Sequence, residues 1–218
     1  ELRDDVRPEL PTDLHSMWMD RVDRMLTSRR DENAHALEIA ALLGREVEAA
    51  AWLHACRLAE VRPDDDLVEQ LATLNLAESN DWGWRFNHGL LRDSLIRRAR
   101  ESGAWEALNL AVARALEERS SHRSVTRAAQ IGELLIRAGE ASEAIPFLLE
   151  GSRRSAWRDD KSGALKLIEL LESAAEQVGG AARREWLEGQ LVRARLLTEL
   201  HQLEHASELA DAVRDEAL

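Results

Sequence analysis

The residues with the clearest chemical potential in this sequence are two histidines and a glutamate near its end. They are His201, Glu204 and His205, and they spell H-x-x-E-H. On one helix, two histidines four residues apart can bind zinc, with the glutamate as general base. Such a site needs a further carboxylate well downstream, and the sequence ends at Leu218. The stretch also falls at an expected turn, so we interpret both histidines as surface residues beside a loop.

Nucleotide hydrolysis is the second chemistry to consider. A P-loop needs Gly-Lys-Ser/Thr, because backbone amides and the lysine hold the phosphates. The sequence contains two lysines, and neither follows a glycine, since Lys161 follows Asp160 and Lys166 follows Leu165. We therefore expect no ATP hydrolysis by this chain alone, and no catalytic residue, metal site or cofactor within it.

Composition and charge restrict the partners. Hydrophobic residues make up 44% of the 218 residues, and Ala, Leu, Glu and Arg are abundant, which favours helices. The net charge of −12 argues against nucleic acid and anionic membranes as partners. Cys56 is the single cysteine, which fits a reducing cytoplasm. No apolar run approaches the roughly 20 residues that span a bilayer. The sequence begins with Glu1 rather than Met, and we expect a piece of a larger protein.

The first half of the sequence predicts short helices and one hairpin. The run Ser28–Asn33 separates the first helix from the second. Residues 76–78 and 84–86 flank a run of turn formers and carry the only β signal. Asn87 is placed to cap the next helix. The helical segments begin at Thr12 and continue over 34–43, 46–58, 65–74 and from 87. This order indicates a winged-helix arrangement with a two-stranded wing.

From Gly103 onward the sequence predicts helices alone. Residues 125–160 form two amphipathic helices joined by a turn at Gly139. A further helix over 161–178 ends at Gly179-Gly180, and residues 181–200 and 203–218 make a final hairpin. Small residues recur with a spacing of twelve, as Gly132 and Ala144 and again as Ala194 and Ala206, which indicates a repeat.

These patterns together predict the fold class. We expect an all-α protein in which a winged-helix module with a small β-hairpin precedes a superhelix of α-hairpins. The predicted domains are a linker and arm helix over 1–30, a winged-helix domain over 31–102, and helical repeats over 103–218.

The hairpin over 125–160 resembles a tetratricopeptide repeat. The matching small and apolar positions are Gly132, Leu135, Gly139, Ala144 and Leu148. The sequence departs from that pattern because Ala128 stands at the Trp position and no Pro closes the repeat. Ala164 also follows Ala144 by twenty residues rather than by a full period of 34.

A wider resemblance covers residues 11–160. The segments LPTDLHSMWMDRVDRM (10–25), ALLGREV (41–47) and RFNHGLLRDSLIRRA (85–99) follow in the order seen in bacterial signalling ATPases of the STAND class. These include relatives of the MalT and LuxR-type regulators and proteins fused to kinase or cyclase domains. FNHGLLRDSL is similar to the family's F-R-H-x-L-L-R-[DE]-x-[LV], with Asn87 in place of the common Arg. In that family a nucleotide-binding domain leads into a winged helix and then a helical-repeat sensor.

The resemblance implies a non-enzymatic regulatory fragment. ATP and Mg²⁺ would bind only to the nucleotide-binding domain outside this chain, against which the winged helix would pack. A histidine near the winged helix can face the nucleotide phosphate in that family, which makes His88 a candidate nucleotide sensor. The alternative for His88 is a local hydrogen bond at a helix start, where polar residues are preferred.

Candidate partner contacts lie on the repeats and on the wing. The inner groove of the repeats would be lined by Glu133, Arg137, Arg195 and Glu199. Their mixed charge suits a protein or peptide ligand, and a solvated helix face is the alternative. Four tryptophans offer another candidate patch, because aromatic residues are enriched at binding hot spots. Core packing is their alternative role, and Trp82 is expected to be the most exposed of Trp82, Trp84, Trp105 and Trp157.

Two other functions compete with a regulatory fragment. One is a metal-dependent hydrolase built on the H-x-x-E-H residues. The other is a DNA-binding winged-helix regulator, in which the third helix would read the groove. That helix, DDLVEQLATL over 65–74, has no Lys or Arg and would repel phosphates. A basic cluster formed by Arg97, Arg98 and Arg100 lies beside Asp93 and Glu101.

Overall fold

The computed structural model of this chain describes residues 12–26, 28–119 and 125–217. The described residues are mostly helical and include one three-stranded sheet, which confirms the expected all-α class with a small β element. The chain divides into two compact units after Ala115, within the helix Trp105–Arg119.

The first unit contains short helices around a small sheet. Its elements in chain order are α1 (Thr12–Met25), α2 (Arg30–Leu43), β1 (Glu46–Glu48), α3 (Ala49–Leu58), α4 (Leu67–Thr73), β2 (Ala77–Asn80), β3 (Gly83–Phe86), α5 (Gly89–Glu101) and the start of α6 (Trp105–Arg119). The start of α1 at Thr12 agrees with the sequence prediction. Helix α2 begins four residues earlier than Ala34, because Arg29 takes a left-handed conformation and ends the preceding turn.

The sheet has the order β1-β3-β2, and both pairings are antiparallel. The prediction that Glu46 begins a helix was wrong, because residues 46–48 pair with β3 in the register Val47 to Trp84. Side chains alternate along this strand, and only that of Val47 is fully buried. The wing is therefore joined by a third strand that the sequence did not predict.

The expected cap at Asn87 was also wrong. The residue at the N-cap of α5 is His88, and it makes no side-chain cap hydrogen bond. The side-chain amide nitrogen of Asn87 instead donates to the backbone carbonyl oxygen of Asn75 at 3.2 Å and to the Asn75 side-chain oxygen at 3.1 Å. Asn75 has φ of 56°, so Asn87 secures the left-handed turn between α4 and β2.

An aromatic cluster lies at the centre of the first unit. The ring of Trp84 is in edge contact with Trp52 at 5.8 Å and with Phe86 at 4.8 Å. The Trp52 indole nitrogen donates to the Ala36 carbonyl at 2.8 Å. Burial of these three rings supplies much of the driving force for packing α2 and α3 on the sheet.

The second unit consists of helices joined by short turns. They are the end of α6, α7 (Val125–Arg137), α8 (Ala141–Trp157), α9 (Lys161–Val178), a 3₁₀ turn (Gly179–Ala182), α10 (Arg183–Glu199) and α11 (Leu203–Ala217). The predicted turns at Gly139 and Gly179 are confirmed, and both glycines have positive φ, of 80° and 72°. A residue without a Cβ adopts this conformation at little cost.

Small residues bring neighbouring helices of the second unit close together, as expected at Gly132. A Cβ on Gly132 would lie 2.8 Å from the Leu148 side chain, so α7 and α8 pack closely there. Gly151 on α8 faces the backbone of Ala129 on α7. Gly189 on α10 faces Leu171 on α9. Neighbouring helices of this unit therefore approach each other closely at glycines.

Candidate functional site

Two of the predicted groove residues lie on α7 and pair with each other. Arg137 donates to the Glu133 carboxylate at 3.1 Å, one turn away on the same helix. The other oxygen of Glu133 accepts from the Lys166 ammonium on α9, also at 3.1 Å. Glu133 therefore connects α7 to α9 through an exposed ion pair.

The other two predicted groove residues lie on α10 and show the same arrangement. The Arg195 Nε atom donates to Glu199 at 2.9 Å. The second Glu199 oxygen lies 3.8 Å from the Lys161 ammonium, again on α9. The two lysines of the chain thus each join α9 to one of the predicted pairs.

Helix α9 contacts both pairs, because Lys166 reaches Glu133 on α7 and Lys161 lies near Glu199 on α10. Lys161 and Lys166 are five residues apart, which is about 7.5 Å along a helix axis. The Asp160 side chain fixes the start of α9 by accepting the Gly163 amide at 3.0 Å. Ala164 and Ile168 on the same helix are fully buried and hold it in place.

We call the resulting set the lysine-linked surface. It comprises Glu133, Arg137, Lys161, Lys166, Arg195 and Glu199. It carries four cations and two carboxylates that are paired with one another on α7, α9 and α10. The lysines were missed by the sequence prediction of this groove, because their placement depends on how α9 packs between α7 and α10.

Trp82 belongs to the first unit and lies in the turn between β2 and β3. Its side chain is 48% exposed. The backbone N–H groups of Trp82 and Gly83 donate to the Asn80 side-chain oxygen at 3.1 and 2.7 Å, which fixes the turn. Trp82 is therefore presented on an ordered turn as an exposed aromatic residue.

Trp157 is more exposed than Trp82, contrary to the prediction. Its side chain is 85% exposed at the last position of α8, whereas Trp84 is buried in the aromatic cluster. The sequence did contain a signal, because Trp157 directly precedes the polar turn residues Arg158, Asp159 and Asp160.

His88 packs against α1. Its ring lies 5.0 Å from that of Trp18, and the Arg21 guanidinium lies 5.9 Å from the Trp18 ring. His88 is half-buried. The described contact of the His88 ring is thus with an aromatic side chain, and its role as a nucleotide sensor stays a prediction.

The H-x-x-E-H residues do not share one helix. His201 lies in the turn before α11 with φ of 60°, whereas Glu204 and His205 lie within α11. Among residues 12–26, 28–119 and 125–217, no group of three or more His, Cys, Asp or Glu side chains is arranged to hold a metal ion. The geometry of a zinc peptidase helix is therefore not formed by this motif.

The predicted basic cluster on α5 is engaged in local contacts. Arg97 pairs with Glu101 at 2.9 Å and holds the pKa of that carboxyl below its usual range. Arg98 pairs with the buried Glu38 at 3.0 Å, and Arg100 lies over the Trp105 ring at 5.0 Å. Arg97 and Arg98 therefore already have carboxylate partners that would compete with a phosphate.

Comparison with protein-family models, with curated proteins and with solved structures gives no match for this chain. The resemblance to signalling ATPases is therefore one of short sequence segments alone. Within the described ranges, no helix has both the length and the apolar character needed to cross a membrane.

Proposed function

We propose that this chain is a non-catalytic regulatory and protein-interaction part of a bacterial signalling ATPase of the STAND class. In this proposal, the helical hairpins of the second unit bind a protein or peptide partner. The first unit acts as a winged helix that couples this event to a nucleotide-binding domain outside the chain. ATP and Mg²⁺ would be held by that domain, and the protein would act in the cytoplasm.

The element order of the first unit supports the winged-helix part of the proposal. Helix α2, strand β1, helices α3 and α4, and the hairpin β2–β3 follow one another, and β1 joins the sheet beside β3. A winged helix combines a compact set of three helices with such a sheet. Helix α1 precedes this set and is tied to it by the Arg21 hydrogen bond to the Leu74 carbonyl at 2.7 Å.

The charge of α4 favours a protein partner over DNA. In a DNA-reading winged helix, the third helix enters the groove, and its cations neutralise phosphates. The corresponding α4, LVEQLAT, carries no Lys or Arg, and Asp66 and Glu69 are exposed at its start. These carboxylates would repel the DNA backbone, so we do not favour a transcriptional regulator that reads DNA with this helix.

The observation that carries the proposal is the lysine-linked surface. It lies on three packed helices rather than on loops, so its charges are held in a defined arrangement. A fixed arrangement of positive and negative charges makes a protein contact specific and orients the partner, while it contributes less to affinity. Such a surface suits reversible binding of a signalling partner.

The test is capture of proteins from the source cell on the immobilised full chain. The variant Arg137→Glu/Arg195→Glu reverses two cations of the lysine-linked surface. The control variant Arg97→Glu/Arg184→Glu reverses the cations of two other exposed i,i+4 pairs. A protein that is retained by the control and lost by the first variant supports the proposal. Identical capture by all three chains would contradict a binding role for this surface.

A further inference from the structure

A cleft between α1 and α4 in the first unit combines an apolar centre with opposite charges. Two adjoining parts, of about 420 and 380 Å³, share Met25 and Leu74 as lining residues. The larger part is also lined by Asp66, Glu69, Gln70 and Thr73, and the smaller one by Arg21 and Arg24. We call this feature the α1–α4 cleft.

The basic part of the cleft holds one fixed cation and one available cation. Arg21 donates to the Leu74 carbonyl at 2.7 Å and lies over the Trp18 ring, so its position is set. Arg24 donates through Nε to the Asp20 carbonyl at 3.0 Å. The terminal nitrogens of Arg24 make no further hydrogen bond or ion pair within the described part of the chain. The terminal nitrogens of Arg24 can therefore donate two parallel hydrogen bonds to a carboxylate.

The acidic part offers two exposed carboxylates. Asp66 is the N-cap residue of α4, and its side chain makes no capping hydrogen bond. Glu69 lies one turn later on the cleft side. Neither carboxylate forms an ion pair with another residue of the described ranges. A cation entering beside α4 would find both of them available.

We propose that the α1–α4 cleft binds a protein segment in which an apolar side chain stands between a basic and an acidic residue. The apolar side chain would contact Met25 and Leu74. The basic residue would face Glu69 and Asp66, and the acidic residue would face Arg24. The choice of a protein ligand rests on the proposed function, while the chemistry of the segment follows from the cleft.

The length of the α4 side of the cleft fits a short segment. Residues 66 and 74 are eight helical steps apart, or about 12 Å along α4. An extended chain covers this distance in about four residues, at roughly 3.3 Å per residue. Nucleic acid is a poor occupant, because its phosphates would meet Asp66 and Glu69 in half of the cleft.

The experiment uses displayed random peptides of about twelve residues, selected on the full chain. Selected peptides are labelled with fluorescein, and their affinity is measured by fluorescence anisotropy. We expect an apolar residue flanked by opposite charges, and at least fivefold weaker binding to the Glu69→Lys and Arg24→Glu variants. The matched changes Glu204→Lys and Arg158→Glu affect exposed residues of the second unit and should leave the affinity unchanged.

Charge reversal in the peptide separates recognition from a folding defect. When the basic residue of a selected peptide is replaced by Glu, the altered peptide should bind the Glu69→Lys chain more tightly than it binds the original chain. The proposal is overturned if no binding peptide is selected, if the selected peptides lack this charge order, or if both cleft variants bind them unchanged. Partner capture through the lysine-linked surface is measured separately, so either proposal can fail alone.

Discussion

The Nδ1 atom of His35 lies 2.7 Å from a carboxylate oxygen of Glu38, one turn later on α2. Glu38 is fully buried, whereas about one-third of the His35 side chain is exposed. The other Glu38 oxygen lies 3.0 Å from Arg98 Nε on α5. These two groups form an ion pair, but their orientation does not meet the geometry of a hydrogen bond. Arg98 also reaches Asp23 on α1 at 3.3 Å. A single buried carboxylate therefore connects α2 to α5, and Arg98 extends the link to α1.

This contact predicts a pH-dependent stability of the first unit. The hydrogen bond to Glu38 is the main cause that raises the pKa of His35 above 6.5. The folded state therefore holds the proton more tightly than the unfolded state. The stabilisation of the folded state by this proton is complete below pH 6.5 and is lost as the pH rises through the folded-state pKa of His35. The change is at most about 1.4 kcal/mol per pH unit for one proton.

The measurement compares urea unfolding of the original chain and of His35→Gln between pH 5.5 and 9. We expect the stability difference between the two chains to shrink as the pH rises. Burial is the main cause that lowers the pKa of His15, so its contribution has the opposite sign and is lost on acidification. It is common to both chains and cancels in the difference. A pH-independent difference would contradict a proton held between His35 and Glu38.

Removing Arg98 should destabilise the first unit strongly. The change Arg98→Met removes one cation from the buried Glu38 carboxylate and leaves His35 as its described partner, and breaking such a buried pair costs up to about 3–5 kcal/mol. The double change Glu38→Met/Arg98→Met removes both charges and should cost less than the sum of the single changes. Urea unfolding of all four chains gives the coupling energy. Additive losses would show that the ion pair is not coupled.

Close packing of α7 against α8 should make Gly151 intolerant of a side chain. A Cβ at Gly151 would lie 3.0 Å from the backbone Cα and N atoms of Ala129, which cannot move aside without shifting the helix. We expect Gly151→Ala to cost about 1–3 kcal/mol, reduced by the better helix propensity of Ala. Gly180→Ala is the control, because nothing lies within 4 Å of its Cβ position. Thermal unfolding that is unchanged in both variants would contradict this packing.

The second unit could be predicted well from the sequence because its signals are local. Apolar residues at helical spacing gave α7, α8 and α9, and glycines with positive φ end two of these helices at Gly139 and Gly179. The candidate surface was predicted only in part. Glu133 and Glu199 were chosen from spacing, but their partners Lys166 and Lys161 lie on another helix, and only packing brings them together.

The first unit shows why β1 escaped prediction. Glu46-Val47-Glu48 is too short for a periodic signal, and the alanine-rich residues that follow favour a helix. What makes these residues a strand is the partner β3, which lies more than thirty residues later in the chain. The strand conformation of residues 46–48 is therefore determined by their pairing with Gly83 and Trp84 rather than by their own sequence.

Gly83 should be essential for this pairing. A Cβ at Gly83 would lie 2.0 Å from the Val47 carbonyl oxygen, so Gly83→Ala forces β1 away from β3. We expect a loss of about 3 kcal/mol and faster hydrogen exchange at the Ala49 amide, which donates to the Trp82 carbonyl at 3.1 Å. Gly89→Ala has open space and serves as control. Unchanged exchange at Ala49 in the Gly83→Ala chain would contradict the observed register.

The Cys56 thiol should be unreactive while the first unit is folded. It is almost fully buried on α3, and burial raises its pKa to about 12. At pH 8 only about one thiol in ten thousand would then be the reactive thiolate. We expect negligible reaction with a disulfide reagent such as DTNB in buffer, and one equivalent after denaturation in urea.

The matched control for Cys56 places a thiol on the exposed side of the same helix. In Cys56→Ala/Leu58→Cys, the new thiol occupies a position where Leu58 is 42% exposed, and it should react with DTNB in the folded state. Rapid stoichiometric reaction of native Cys56 would mean that α3 opens readily from the sheet. Because the Trp52 ring on the same helix packs against Trp84, such opening would also change the tryptophan fluorescence. The packing of α3 predicts no DTNB reaction of Cys56 and no change in tryptophan fluorescence, together with a reactive thiol in the control variant.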